Sequence, residues 1–181
     1  LAPVPNEYAW GSISIAINPY ALSDIGKNDE GISTNFNTTD GNATNYSTAW
    51  LAGFQGPVRV GIFAGNSLNT GRITSGAAYY GMMEMSGNMF EYTVAAGNPT
   101  GREFTPVNGN GMLTAMGESD AATWPPVSTA TGIGFRGGDW SNGAGYSKLS
   151  ARSRAAYIDN SRNRSYGGRG VRLEPIQQIK Q

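Results

Sequence analysis

The chain has 181 residues, 39% hydrophobic and only 14% charged, with 26 glycines and a formal net charge of zero. That length fits one domain with a real core, and the balanced charge gives no reason to expect bulk affinity for nucleic acid or an anionic membrane. Neither cysteine nor histidine occurs, which excludes disulfides, thiol catalysis, thiolate zinc sites and the imidazole base of the usual hydrolytic triad.

Four Trp, nine Tyr and six Phe argue for a folded core, and the high glycine content fits many short elements joined by turns better than a helical bundle. No apolar run reaches the roughly 18 residues that a membrane-spanning helix needs. Pro5-Asn6-Glu7-Tyr8-Ala9-Trp10 followed by Gly11 has the punctuation of a short helix. Ser12-Ile13-Ser14-Ile15-Ala16-Ile17 alternates with period two, which predicts a half-buried strand. Residues 18–49 are rich in Asn, Thr, Ser, Asp and Gly and read as a long surface loop. Asn37, Asn42, Asn45 and Asn163 begin N-x-Ser/Thr triplets, the acceptor pattern of N-glycosylation, which also arises easily by chance in a chain rich in Asn, Ser and Thr.

Residues 57–63 (Pro-Val-Arg-Val-Gly-Ile-Phe) read as a short strand, and 66–75 as a polar loop. The Met and aromatic content of residues 77–92 marks core, with Gly87-Asn88 as a turn or bulge. Glu84 and Glu91 are the carboxylates of that run. They suit either an acid/base or metal-ligating pair or the satisfaction of local backbone donors and arginines, and the latter is preferred. Residues 97–132 read as a second long insertion ending at Trp124-Pro125-Pro126. No internal repeat and no phosphate-binding glycine motif is present.

The chain is organised around residues 136–172, where arginines stand at 136, 152, 154, 162, 164, 169 and 172 and the only acids are Asp139 and Asp159. Between them lie mostly Ser, Asn, Gly, Ala and Tyr. These types are favoured in binding loops, where Tyr gives a large amphipathic contact and Ser, Gly and Asn give adaptable hydrogen bonds. A glycine- and serine-rich loop region with structural arginines would have the same composition.

Gly81-Met82-Met83-Glu84-Met85-Ser86-Gly87-Asn88-Met89-Phe90-Glu91-Tyr92 resembles the Gly-Leu-x-Asp-Met-x-Gly-Asn-Val-Trp-Glu-Trp signature of formylglycine-generating-enzyme (sulfatase-modifying factor) domains. Arg136-Gly137-Gly138-Asp139-Trp140 resembles their Arg-Gly-Gly-Ser-Trp, and Gly170-Val171-Arg172-Leu173 their terminal Gly-Phe-Arg-Leu, with Val in place of Phe. Arg152 and Arg154 resemble the arginine-bearing segment between, and residues 5–10 an early segment with Pro, Glu, Tyr and Trp. The resemblance implies an α+β C-type lectin fold of the formylglycine-generating-enzyme-like type. Such a fold has a small twisted antiparallel sheet, one or two helices and long ordered loops. It also implies a single domain over residues 1–173 followed by a polar tail at 174–181. The family's opening strand and long helix would lie before Pro5, so the chain is expected to begin inside the ancestral domain or to replace that part.

The family's enzymes hold copper with a cysteine pair, and an ungapped count from Arg136 puts those positions at Asn142 and Ser147. Soft copper ligation is not available from these residues, and a likeness of fold does not carry the activity with it. A related enzyme family uses histidine-bound iron, and no histidine is present. The variable proteins of diversity-generating retroelements share the domain and diversify its C-terminal segment. Adenine-directed mutagenesis of Asn codons cannot produce Glu, Gln, Lys, Met or Trp, and from Asp139 to Arg172 only Trp140 and Lys148 lie outside the reachable set.

The resemblance therefore implies a non-enzymatic, diversified ligand-binding protein without cofactor or metal, its variable region at about 136–172. The implied partner is a protein or cell-surface ligand, not nucleic acid, and display on a cell or virion surface suits that role. The candidate variable positions are Asp139, Ser141, Asn142, Tyr146, Ala155, Ala156, Tyr157, Asp159, Asn160, Ser165 and Tyr166. Tyr146, Tyr157 and Tyr166 are expected to form one solvent-open patch rimmed by Asp159 and Asn160. Arg136, Trp140, Leu149, Arg152, Arg154 and Arg172 are expected to face the body of the domain. The alternatives are a carbohydrate-binding or adhesion lectin module and a catalytically dead relative of the enzymes.

Overall fold

The computed structural model describes residues 4–107 and 109–168. It is a mixed α and β architecture of short elements held together by turns. β1 (Ala21–Ser23) and β2 (Gly31–Thr34) form an antiparallel hairpin. β3 (Phe90–Val94) is the centre of a second sheet, antiparallel to β4 (Ile133–Arg136) on one side and parallel to β5 (Tyr166–Gly167) on the other. One α-helical turn, α1 (Pro99–Arg102), is capped by the Asn98 side chain and has proline in its first turn, where a missing N–H costs nothing. A π-helical turn at Tyr46–Trp50 and a 3-10 turn at Ala144–Ser147 complete the helices and strands of the described residues. Among the described residues, no helix is long and apolar enough to cross a membrane. The terminal Gly-Val-Arg-Leu motif, Arg172 with it, and the 174–181 tail lie outside the described residues.

Several expected elements take another form. Residues 5–10 make turns instead of a helix, with Asn6 and Gly11 at positive φ and the Tyr8 and Trp10 rings stacked at 5.0 Å. Residues 12–17 make a single bridge, Ile15 to Gly41, and the alternation does not hold: Ile13 and Ile17 are 65% and 66% exposed, Ile15 is half-buried against Tyr8 and Trp10, and Ala16 is buried. The cause is Trp10. Its indole N–H donates to Ser12 Oγ and the Ser14 carbonyl, which draws the serine side inward, and its ring occupies the space where Gly41 lacks a Cβ.

The supposed surface loop at 18–49 holds the β1–β2 hairpin and a buried polar run from Asn42 through Asn45. Asn42 Oδ1 accepts from the Tyr20 hydroxyl and the Asn37 N–H, and its Nδ2 donates to the Asn37 and Thr74 carbonyls. A side-chain amide with every valence filled is buried without a desolvation deficit, so polar composition here does not mean exposure. Burial of Asn42 and Asn45 also closes two of the glycosylation triplets. Residues 57–59 are irregular and 60–63 form a turn, with Gly61 at φ +83, although Val58, Ile62 and Phe63 do enter the core with Ala16, Tyr20 and Ile32. The 97–132 insertion is irregular as expected, apart from α1 and one bridge between Leu113 and Ser119.

The segment Ser86-Gly87-Asn88 joins the parts. Asn88 Oδ1 accepts from the Val58 N–H and its Nδ2 donates to the Val58 carbonyl, copying a strand pairing with one side chain. Its own N–H donates to the Thr44 carbonyl, and its carbonyl accepts from the Trp140 N–H. Gly87 donates to the Gly137 carbonyl at 2.7 Å, and Ser86 Oγ bridges the Ala9 N–H and the Ser147 carbonyl. A side chain on Gly87, at φ +91, would run into the Thr44 carbonyl, so glycine is required. Glu84 is structural in the same way, its carboxylate receiving the Gly61 N–H.

Candidate ligand-binding surface

Alternation along β3 and β4 puts Phe90, Tyr92, Ile133 and Phe135 on one face of the sheet, and the register of β5 adds Tyr166 to it. After β4 the chain leaves through Gly137-Gly138 and returns along the outer edge of that strand, where the Phe135 N–H donates to the Arg154 carbonyl. It then crosses the aromatic face to reach β5. Gly134 makes the return possible, because a side chain there would overlap the Ala155 backbone.

Phe135 is the centre of the face. Tyr166 lies 4.4 Å from it between ring centroids, Tyr92 4.7 Å, Phe90 6.0 Å and Tyr157 6.1 Å. Tyr146 meets Phe90 edge-on at 6.2 Å. Arg154 lies across the tyrosines, its guanidinium carbon 4.3 Å from the Tyr157 ring centre and 6.0 Å from that of Tyr146. Tyr157 is 42% exposed, and Tyr146 and Tyr166 are half-buried. The three tyrosines thus lie on one side of the sheet and are bridged by Arg154 and Phe135.

Two clefts open on this face. A polar one of about 200 Å³ is lined by Ser141, Asn142, Arg154, Tyr157, Asn163 and Tyr166, with Phe90 and Phe135 at its base. An apolar one of about 180 Å³ is lined by Tyr92, Val94, Trp124, Pro125, Val127 and Ile133, with Asp159 and Asn160 on its wall. Asp159 accepts from the Tyr166 hydroxyl at 2.7 Å and from the Ser161 N–H, and Asn160 donates to the Ser128 carbonyl. The hydrogen bonds from Ser161 and then Tyr166 hold the Asp159 carboxyl below the usual carboxylate range. Burial, then the bond to Asp159, raises the Tyr166 phenol above its ordinary value, and burial followed by the Asp159 charge raises that of Tyr92.

The candidate positions divide into groups. Ser141, Asn142, Tyr157 and Tyr166 line the polar cleft, Tyr146 flanks it, and Asp159 and Asn160 mark the apolar neighbour. Asp139 and Ser165 also lie against the polar cleft but do not project into solvent as expected: Asp139 is 1% exposed and Ser165 is buried. Asp139 Oδ2 accepts from the Ser141 hydroxyl and Oδ1 from the Asn142 amide, so this carboxylate shapes the loop. Ala155 and Ala156 sit apart, on a cleft with Thr93, Arg136 and Arg152 on the other side of the sheet.

The framework expectations also divide. Trp140 is 0% exposed, stacked on Trp50 at 5.7 Å and covered by the Arg164 guanidinium at 4.9 Å. Arg136 donates to the carbonyls of Leu149 and Ala151, and Arg152 to the same two, which pins the return loop. Burial, then the neighbouring Arg152 charge, lowers the Arg136 pKa. Three expectations fail. Arg152 is exposed, although its guanidinium reaches the two carbonyls. Leu149 is exposed, since its backbone, not its side chain, is what the fold uses: its N–H donates to the Glu7 carbonyl while its own carbonyl takes the two arginines. Arg154 does not face the body but lines the cleft. The turn in which the Ala155 N–H donates to the Arg152 carbonyl and the Tyr157 N–H to the Arg154 carbonyl sets Arg154 and Tyr157 side by side. Their three-residue spacing in a turn-forming Ser-Arg-Ala-Ala stretch is the signal that could have found Arg154. Asn163 and Tyr92 were missed too, the latter through being read as core.

Protein-family models, curated proteins and solved structures were all compared with the chain, and none matches.

Proposed function

We propose that this chain is a ligand-binding protein that displays a mutable surface on a C-type lectin scaffold of the formylglycine-generating-enzyme-like type, as the variable proteins of diversity-generating retroelements do. The observation that carries the reading is the gathering of Tyr157 and Tyr166 around Phe135 and of Tyr146 against the adjoining Phe90, beside open clefts and on a backbone held by Trp140, Arg136 and Arg152. Large amphipathic side chains at a solvent-open surface favour partner capture, and replacing them leaves the pinning contacts untouched. The two acids of the stretch are committed to Ser141 and Asn142 and to Ser161 and Tyr166, which favours a protein ligand over a calcium-bridged sugar. The residues at the family's cysteine positions are likewise engaged or buried: Asn142 donates to Asp139, and Ser147 lies inside.

A display library randomised at Ser141, Asn142, Tyr146, Tyr157 and Tyr166 tests the reading. Most members should remain folded, and binders to unrelated proteins should emerge from it, whereas a library randomised at Ser86, Asn88 and Trp140 should fold rarely. Equal folding losses in the two libraries would overturn the proposal. In the source genome, a near-copy of the gene's 3′ end beside a reverse transcriptase is the expected companion.

A further inference from the structure

We propose that Arg154 is the receptor for a carboxylate of the ligand, an Asp or Glu side chain presented by a protein partner. The inference rests on the ligand-binding reading above and gives that surface its chemistry. Of the arginines in the same stretch, Arg136 and Arg152 spend their N–H groups on the Leu149 and Ala151 carbonyls, and Arg164, seated on Trp140, does not line the polar cleft. Arg154 differs. Among the described residues its guanidinium has no hydrogen-bond acceptor and no ion-pair partner, only the ring faces of Tyr157 and Tyr146.

A guanidinium seated on a ring is fixed in orientation while the N–H groups around its edge stay available. Those donors border the polar cleft of about 200 Å³ together with Asn142, Asn163 and Ser141. The neighbouring acids do not neutralise it. Asp139 is buried and holds Ser141 and Asn142, and Asp159 feels the Arg154 charge but gives its oxygens to Tyr166 and Ser161. A planar cation with paired parallel donors in a cleft of that size matches a carboxylate, which it can hold through two hydrogen bonds at once. The tyrosines around it supply the amphipathic contact area that protein surfaces meet. The position is secured without the side chain's help, because the Arg154 carbonyl takes the Phe135 and Tyr157 N–H groups.

The test is to pan a displayed random peptide library against the full chain, retaining peptides whose binding is lost in Tyr157→Ala. These peptides should share an Asp or Glu. Changing that acid to its amide, or changing Arg154→Gln in the protein, should each weaken binding by about tenfold or more, the loss expected for a charged hydrogen-bonded pair. The two changes together should be no worse than either alone. Arg154→Lys should recover part of the loss, and Arg162→Gln should leave binding unchanged. Melting temperatures confirm that each variant is folded. Peptides that need Tyr157 yet carry no acid, or that bind Arg154→Gln unchanged, overturn the carboxylate assignment and leave the binding surface standing. A library that yields no peptide dependent on Tyr157 overturns both.

Discussion

The crossing at Ser86-Gly87-Asn88 and the surface around Phe135 are built from opposite materials. The crossing uses small residues, and their backbone and side-chain polar atoms tie together stretches near Ala9, Thr44, Val58, Gly137, Trp140 and Ser147. The surface uses large side chains that meet through ring faces and edges, with the Tyr166–Asp159 hydrogen bond the main directional contact. The first arrangement tolerates no change of shape, because a buried donor left without its acceptor costs its full desolvation. The second tolerates change, since ring packing at a half-open surface can be replaced by water. One chain thus places specificity of fold and freedom of surface a few residues apart, and Trp140 joins them: its N–H bonds to the Asn88 carbonyl while its buried ring stacks on Trp50 and is covered by Arg164.

The largest expected effect is that of Trp140→Ala. Removing a fully buried indole stacked between Trp50 and Arg164 should cost about 3–5 kcal/mol in chemical denaturation, and a cost near zero would erase the distinction between support and surface. Next comes Asn88→Ala, which strands the Val58 N–H and carbonyl together and should cost about 3 kcal/mol. Tyr166→Phe, which removes one hydrogen bond, should cost about 1 kcal/mol. Tyr157→Ala should cost about 0.5 kcal/mol or less, as exposed substitutions do. A thermal-melt ranking with either tyrosine above Asn88 would break the comparison.

The smallest effect is one of pH. The folded-state pKa of Asp159 is depressed, so its hydrogen bonds contribute fully above the unfolded carboxylate value and are lost as pH falls through the lower folded value. The stability difference between wild type and Tyr166→Phe should therefore be constant above about pH 5 and shrink below about pH 4. A difference that persists at the acid end of that titration would show that Tyr166 acts through packing, not through Asp159. At the alkaline end, Tyr20 and Tyr166, both raised chiefly by burial, should be among the last phenols to ionise in an ultraviolet titration.

Much of the surface was legible in the sequence, because aromatic residues set among Ser, Asn and Gly have few uses other than contact, and a lone Trp after Arg-Gly-Gly has little to do but be buried. That the tyrosines meet on one side of the sheet is not announced by composition: strand register and the return of the chain along β4 bring them together. What misled was the assumption that polar side chains are wet. Asn42 and Asp139 are buried because each finds hydrogen-bond partners, and spacing alone does not announce those partners. The Ser-Ile alternation misled for a related reason: Trp10 supplied a hydrogen-bond donor that made the serine side the inner one. Arg154 was misassigned because arginines of one stretch look alike in sequence, while only the path of the backbone decides which of them reaches a carbonyl.

The parallel pairing of β3 with β5 also sets an order in time. Strands far apart in the chain lose the entropy of the intervening loop before their contacts return anything, so such pairs close slowly. The clusters around Phe63 and Trp10 draw on neighbouring stretches near the start of the chain and can consolidate first. A newly made molecule is therefore expected to pass through an interval in which it is compact while the rings of Phe90 and Phe135 are still uncovered and open to self-association. Refolding followed in parallel by tryptophan fluorescence and by peptide capture should show the fluorescence recovering first.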